Sequence, residues 1–473
     1  MAYTRPAYFP LIVLILLWSR QIRAQQDSLE LSKDSLAPDT IVTQQDSLLT
    51  AQQEAEAESE LAPDSNSFQF IDRHSYELYL TASWKELAAY CEKAFKDGHD
   101  SYYLRMRAGM AYYALKRYRS ATPHFRKALE LNSADDTATW YLYSGLLYSE
   151  RFEEAKRLSL RFGSGLQETT GSRNYSPIDY IVSESGFKHS DSSALFRNPL
   201  FASLGLQHDI GRKVFLFHNL NYFGQNEYRF NVEQFQYYLR ATFPLRNNLS
   251  LSAAMHIVHV NADLKELVTG VLTSTSVIST GTGQPIFPPQ QQTVTIYTPY
   301  EYETINNKQS YNSIAAIELR HHGVILDVQA GTTFAHFDTT AQFQLNAGLA
   351  IYPLQNNRLK LGINLYLHKE SVTPVYNMAF APYLNVYLGS KIHLSLNYYS
   401  NTGPNISEYV ASFISNSVDY TLQRTTVTLS CALSRNLWLY GTTGLEQKKQ
   451  IYESFVYNYR IFALGVKMIP GFK

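Results

Sequence analysis

The sequence predicts a mainly β protein with an N-terminal α region: a transmembrane antiparallel β-barrel of about fourteen strands after a short helical-repeat solenoid. Three observations carry the prediction. Segments of strict apolar/polar alternation recur along the C-terminal part of the 473 residues. After the first thirty residues no apolar run approaches the ~18 residues that a membrane-spanning helix needs. Ahead of the alternating segments, small and aromatic residues repeat at a spacing of 34.

At the N-terminus, Arg5 precedes the apolar stretch Leu11–Trp18, and Ile22-Arg23-Ala24 places a small residue before Gln25. Residues 1–24 therefore read as a secretory signal. Only Cys91 and Cys431 occur, one in the helical region and one on a strand, so no disulfide is expected. Residues 25–67 hold ten acidic residues against the single base Lys33, with no aromatic residue. Such a segment cannot bury enough apolar surface to offset the entropy of ordering, and a disordered acidic linker is expected.

Residues 68–170 change to a helical pattern. Trp84, Leu87, Cys91 and Ala94 return 34 residues later as Tyr118, Ala121, Phe125 and Ala128, and Phe152 and Ala155 follow at a further 34. Small residues let helices approach, and the aromatics fill the gaps between them. With Gly109 and Tyr112, this spacing resembles the tetratricopeptide (TPR) consensus. The resemblance implies helix pairs packed through Trp84, Leu87, Gly109, Tyr112, Tyr118, Ala121, Phe125, Ala128, Phe152 and Ala155. It also implies a periplasmic domain whose groove docks a periplasmic or envelope protein.

Residues 171–473 supply the barrel. In Arg358–His368, Leu359, Leu361, Ile363, Leu365 and Leu367 line one face, while Lys360, Asn364, Tyr366 and His368 line the other. Ala341–Tyr352, Leu249–Ile257 and Lys391–Tyr399 repeat the pattern. A strand that alternates so strictly divides an apolar medium from a wet one, and many of them together suit lipid outside and water inside. Tight links are expected at Asp209–Lys213, Pro244–Asn248, His321–Gly323, Pro353–Asn357, Leu388–Lys391 and Ser434–Asn436, where Asn, Gly and Pro suit hairpin turns. These six hairpins give twelve strands. An outward strand at Ile178–Phe187 and a returning one at Phe455–Met468 make fourteen. The long segment Asp263–Gln309, apolar and β-branched in its first part and rich in Gly, Pro and Gln later, is expected to be extracellular and to fold into or over the mouth as a plug or lid, the alternative being two extended strands that project beyond the membrane.

The alternation assigns Arg240, Glu318, Arg320, Asp327, Gln329, Gln342, Gln344, Arg358, Lys360, Tyr366, His368, His393 and Glu446 to the lumen. Tyr383, Tyr387, Tyr399 and Tyr440 share that parity. Aromatic rings beside hydroxyl-bearing neighbours suit sugar faces, and equally they fill a narrow lumen. No metal or cofactor is expected: His256 and His259 fall on opposite faces of one strand, and no nucleophilic triad is present. Tyr398-Tyr399-Ser400-Asn401 looks like the His-x-Ser-Asn segment of the lipid A deacylase barrels. Tyr398 stands at the His position, however, and a neutral phenol is no base near neutral pH, so an enzyme is not expected.

As a whole, residues from about 70 onward resemble TPR-plus-barrel outer-membrane proteins, the exopolysaccharide export porins and the YaiO-like barrels. The resemblance implies an outer-membrane channel or export pore with a periplasmic docking module. The alternative is a non-conducting scaffold whose TPR groove recruits a secretion or envelope-assembly partner. Outer-membrane lipid is an expected partner. Nucleic acid is not, because the formal net charge is zero.

Overall fold

The computed structural model describes residues 67–172, 176–191, 198–226, 230–245, 248–280, 290–337, 340–372, 375–414, 419–449 and 455–470. The expected signal and most of the acidic linker lie outside the described residues.

Among the described residues, seven α-helices precede the strands: α1 (Phe68–Leu80), α2 (Trp84–Lys96), α3 (Tyr102–Ala114), α4 (Tyr118–Leu131), α5 (Asp136–Leu147), α6 (Phe152–Leu158) and α7 (Ser164–Thr169). Their turns carry the 34-residue period in the backbone itself. Ala82, Lys116 and Glu150 all adopt left-handed φ, at 52°, 59° and 56°. After each, the backbone N–H of Ser83, Arg117 or Arg151 closes the preceding helix on the carbonyl of Leu78, Tyr112 or Leu146. The next helix then begins at Trp84, Tyr118 or Phe152, so one turn geometry is used three times. Ser101 caps α3 and Asp135 caps α5, each accepting from the first-turn N–H groups.

Two apolar clusters hold the helices together. Ile71, Leu87, Ala88, Cys91, Ala94, Leu104, Ala108 and Ala111 form one, and Met106, Ala121, Phe125, Ala128, Ala138, Leu142, Leu146 and Ala155 the other. Gly109 on α3 faces the Phe125 ring of α4 so closely that a Cβ there would lie 2.6 Å from the ring. The arrangement is compatible with a TPR-like solenoid. Phe152, assigned to the packing set by its register, is instead 53% exposed. It opens the seven-residue α6, from which Ala155 is buried in the core and Leu158 packs against it.

Fourteen strands then close into an antiparallel barrel: β1 (Ile178–Ser190), β2 (Leu200–Ile210), β3 (Val214–Asn226), β4 (Phe230–Pro244), β5 (Leu249–Thr280), β6 (Gln290–His322), β7 (Leu326–Phe337), β8 (Thr340–Ile351), β9 (Leu359–Glu370), β10 (Tyr376–Leu388), β11 (Ile392–Asn401), β14 (Tyr420–Ala432), β15 (Leu437–Lys449) and β16 (Val456–Met468). A two-stranded pair, β12 (Ser407–Glu408) and β13 (Phe413–Ile414), falls between β11 and β14 in the chain and forms a separate sheet that is no part of the barrel ladder. Each barrel strand pairs with its neighbour in the chain, and β1 pairs with β16 to seal the cylinder. All six expected tight links join consecutive strands at one end, hereafter the turn end.

Alternation places polar residues inside and apolar ones outside. On β9, Leu361, Leu365 and Leu367 are exposed while Asn364, Tyr366 and His368 are buried. On β16, Phe462, Leu464 and Val466 are exposed while Tyr459, Ile461 and Ala463 are buried. Closing the ladder satisfies the backbone hydrogen bonds, and the exposed leucines form the belt that lipid requires.

The long segment departs from expectation. It does not fold into the mouth: the β5–β6 ladder continues without a break to Thr280 opposite Gln290. β4 pairs with β5 only as far as Leu264, and β7 reaches β6 only from Ser313. Beyond those points the hairpin stands alone, and at about 3.3 Å per residue the run from Lys265 to Thr280 extends roughly 50 Å further. The apolar and β-branched residues expected to pack against the rim instead continue the strand and are paired across the ladder. Residues 281–289, the Gly/Pro tip, lie outside the described residues.

Two substitutions test these packing arguments. Gly109→Val should force the Phe125 ring aside and cost about 1–3 kcal/mol, read from thermal melting of the helical signal by circular dichroism. Leu365→Arg, mid-strand on the lipid face, should cost about 2–4 kcal/mol in reversible unfolding from lipid bilayers, whereas Leu365→Ile should leave stability nearly unchanged.

Candidate functional site in the barrel lumen

The interior wall is a set of paired polar groups rather than an open ring of charges. Glu446 receives Lys188 at 2.5 Å and the Thr421 hydroxyl at 2.9 Å. Glu318 accepts from Arg320 at 3.1 Å. Gln329 donates to Asn364 at 2.8 Å, and Gln342 to Glu370 at 3.3 Å. Arg240 lies over the Phe217 ring, and Lys360 lies near the rings of Tyr352 and Tyr383. His393 packs against Tyr387, and His368 is buried 3.9 Å from Glu370. Arg358 is the exception among the residues assigned to the lumen. It precedes β9, is exposed, and lines a crevice between the Leu115–Arg117 turn and the Pro353–Asn356 turn. The strand begins one residue too late for its alternation to reach Arg358.

A segment between β11 and β14 crosses the lumen. Glu408, fully buried, receives two hydrogen bonds from one Arg424 nitrogen on β14 at 2.7 and 2.8 Å. Ser407 exchanges two hydrogen bonds with Gln344 on β8, at 2.7 and 3.0 Å. The Tyr409 N–H donates to the Tyr366 hydroxyl on β9 at 3.3 Å. Tyr238 on β4 donates to the Val410 carbonyl at 3.1 Å, and His256 Nδ1 on β5 to the Ala411 carbonyl at 2.7 Å. The segment is thus fixed to strands on several sides of the barrel. Asn405, Tyr409, Val410 and Ala411 have φ between 50° and 61°. For side chains with a Cβ this left-handed backbone costs about 1–2 kcal/mol per residue, and it persists where surrounding contacts over-determine it. The β12–β13 pair and the buried Ile406, Val410 and Ala411 supply such contacts.

The helices cover the turn end. Arg119, at the start of α4, donates to the carbonyls of Val324 and Gly323 at 3.0 and 2.6 Å and forms an ion pair with Asp327. Asp327 also receives His322 Nδ1 at 3.2 Å and the Tyr352 hydroxyl at 3.1 Å. Around this ion pair, the Ser120 hydroxyl donates to Gln355, Asn356 donates to the Lys116 carbonyl, and Arg151 donates to Asn248. Lys156 binds Asp209 at 2.9 Å and also pairs with Asp179, while Arg157 donates to the Pro244 carbonyl. The Glu150 carboxylate reaches Tyr387 inside the mouth. Four of the six tight turns therefore touch helices. Two of the repeated left-handed turn residues, Lys116 and Glu150, take part in these contacts.

Between the inward segment and the wall remains a cavity of about 610 Å³. Its lining comes from β1–β4, β11 and β14–β16, together with Tyr409 and Ser412 of the segment. Sequence reasoning placed Glu446 and Tyr399 here by parity. It missed Lys188 and Arg119, whose partners lie 258 and 208 positions away, and Glu408 and Arg424, which pair with each other across 16.

Glu154 on α6 links the Arg126 and Arg151 side chains and so steadies the end of the helical region that reaches Asn248. Burial pushes its carboxyl up, but Arg151 and Arg126 outweigh that and hold it below the ordinary 4.5. A carboxyl depressed in the folded state contributes stability above its unfolded value and loses it as pH falls through the folded one. Acidification below about pH 4.5 should therefore loosen α6, read as faster proteolysis of residues 150–177. Glu154→Gln should be loose at neutral pH and show a flatter pH response.

No protein-family model matches the sequence, and no curated protein matches it. Several solved structures are similar. The CymD monoaromatic hydrocarbon channel shares 10% identity at a TM-score of 0.38, over 65% of this chain and 94% of that one. A Pseudomonas aeruginosa FadL homologue shares 8% identity at 0.33, over 62% and 90%. The KdgM porin in complex with disordered oligogalacturonate shares 8% identity at 0.28, over 61% and 98%.

Proposed function

We propose that the chain is an outer-membrane channel closed at rest by two removable barriers, with its helical region on the periplasmic side. One observation carries the reading. The barrel wall does not pack shut on itself, and what closes it is a loop segment held by side-chain hydrogen bonds and a helical layer held by polar contacts. A lumen plugged by its own wall would have no such parts to move. The helical region is also the expected docking module. The exposed Tyr76 and Tyr103, both near the Arg107 guanidinium on the helical surface, are available to an envelope protein. A partner that bound there and drew the helices from the turns would open the mouth.

A second reading, a non-conducting scaffold, is favoured by the number of polar contacts between helices and turns. Planar-bilayer recording of the purified full chain separates the two. The channel reading expects low or flickering conductance that rises severalfold in the Glu408→Gln/Arg424→Gln double variant and in Arg119→Ala. Silence in the wild type and in both variants, with folding intact by heat-modifiable gel mobility, would establish the scaffold.

A further inference from the structure

We infer that the lumenal cavity is a binding site for a small uncharged polyhydroxylated ligand, of the class of a mono- or disaccharide. The inference deepens the channel reading and rests on it only for the ligand's route, not for its binding. The charged groups around the cavity are already engaged: Lys188 pairs with Glu446 at 2.5 Å, Lys448 lies within the field of the same carboxylate, Arg424 pairs with Glu408 at 2.7 Å, and Glu184 is hydrogen-bonded to the Tyr440 hydroxyl. An ionic ligand would have to compete with these pairs. The rest of the polar lining is rich in carboxamides: Asn219, Asn221, Gln234, Gln236 and Asn397. A carboxamide presents a donor and an acceptor side by side, which matches a hydroxyl that both gives and receives.

Two residues that line the cavity each carry a covered polar atom with no partner among the described residues. Gln234 is 5% exposed with its Nε2 unpaired, and Tyr399 is 2% exposed with its hydroxyl unpaired. An apolar ligand would leave both donors buried and unmet. Phe217, Phe223 and Tyr409 add ring surface to the same cavity. Rings beside paired donors and acceptors suit a pyranose, apolar on its faces and polar at its rim. The volume is within the range of small-molecule sites.

Isothermal titration of the purified full chain in detergent tests this without any need for conductance. Maltose or sucrose should bind saturably, and gluconate and glucosamine should bind at least about tenfold more weakly. Gln234→Leu/Tyr399→Phe should weaken disaccharide binding by about tenfold or more with an unchanged melting temperature. Should that double variant unfold, Asn221→Leu is the substitute and should weaken binding in the same direction. Absence of saturable disaccharide binding up to tens of millimolar would overturn the inference. So would equal binding of the charged sugars, or undiminished binding in a folded variant. Maltose binding by a chain that stays silent in the wild type and in both conductance variants would instead remove the channel reading and leave the site.

Discussion

The structure depends on one constraint: a sheet in lipid must leave no backbone group unpaired, so the ladder must close. Pairing β1 with β16 meets that requirement and fixes the rest. Once the ring is closed, every strand has a lipid face and an interior face, and the period of two becomes obligatory. Fourteen strands also enclose more space than side chains from the wall fill, since an eight-stranded ring already has an interior that side chains just occupy. The remaining volume must be water, ligand or additional chain. Here part of it is additional chain, the residues around Ile406–Ala411, and part is the cavity beside them.

The wall was legible because its signals are local. The alternation at Leu359–Leu367 and the turn residues at Pro244–Asn248 and Pro353–Asn357 each fall within a dozen residues of sequence. The helical repeat was legible for the same reason, and the structure deepens it by placing the left-handed turn at Ala82, Lys116 and Glu150. Gly109 was assigned from its motif, and its reason is visible as the distance to Phe125.

What stayed hidden is long-range. Nothing near Ser407–Ala411 announces an interior strap: it contains no glycine, although three of its residues take left-handed φ. Its identity lies in contacts with Tyr238, His256 and Gln344, between 63 and 172 positions away. The sequence instead drew attention to Asp263–Gln309, whose length suggested a lid. There the β-branched residues obeyed their ordinary preference and extended the ladder. Phe152 and Arg358 failed for a simpler reason, since each stands at the end of an element where periodicity no longer binds a side chain to one face.

Each of the two barriers contains a buried ion pair, and their positions bear on how each could open. The helical layer meets the turns through many polar contacts, among them the buried pair of Arg119 with Asp327, and its release exchanges hydrogen bonds to protein for hydrogen bonds to water. Such a trade is nearly balanced bond by bond, and the number of contacts sets the cost. The lumenal strap is held partly by a buried ion pair, Glu408 with Arg424. A buried pair is weak evidence for stability, because the cost of desolvating both charges offsets much of their attraction. Breaking it by removing one partner strands a charge, but moving the strap into a wetter lumen rehydrates both charges at once. Water admitted by release of the helices would lower the cost of freeing the strap. In the proposed channel the outer barrier would thereby be coupled to the inner one through the hydration of Glu408 and Arg424.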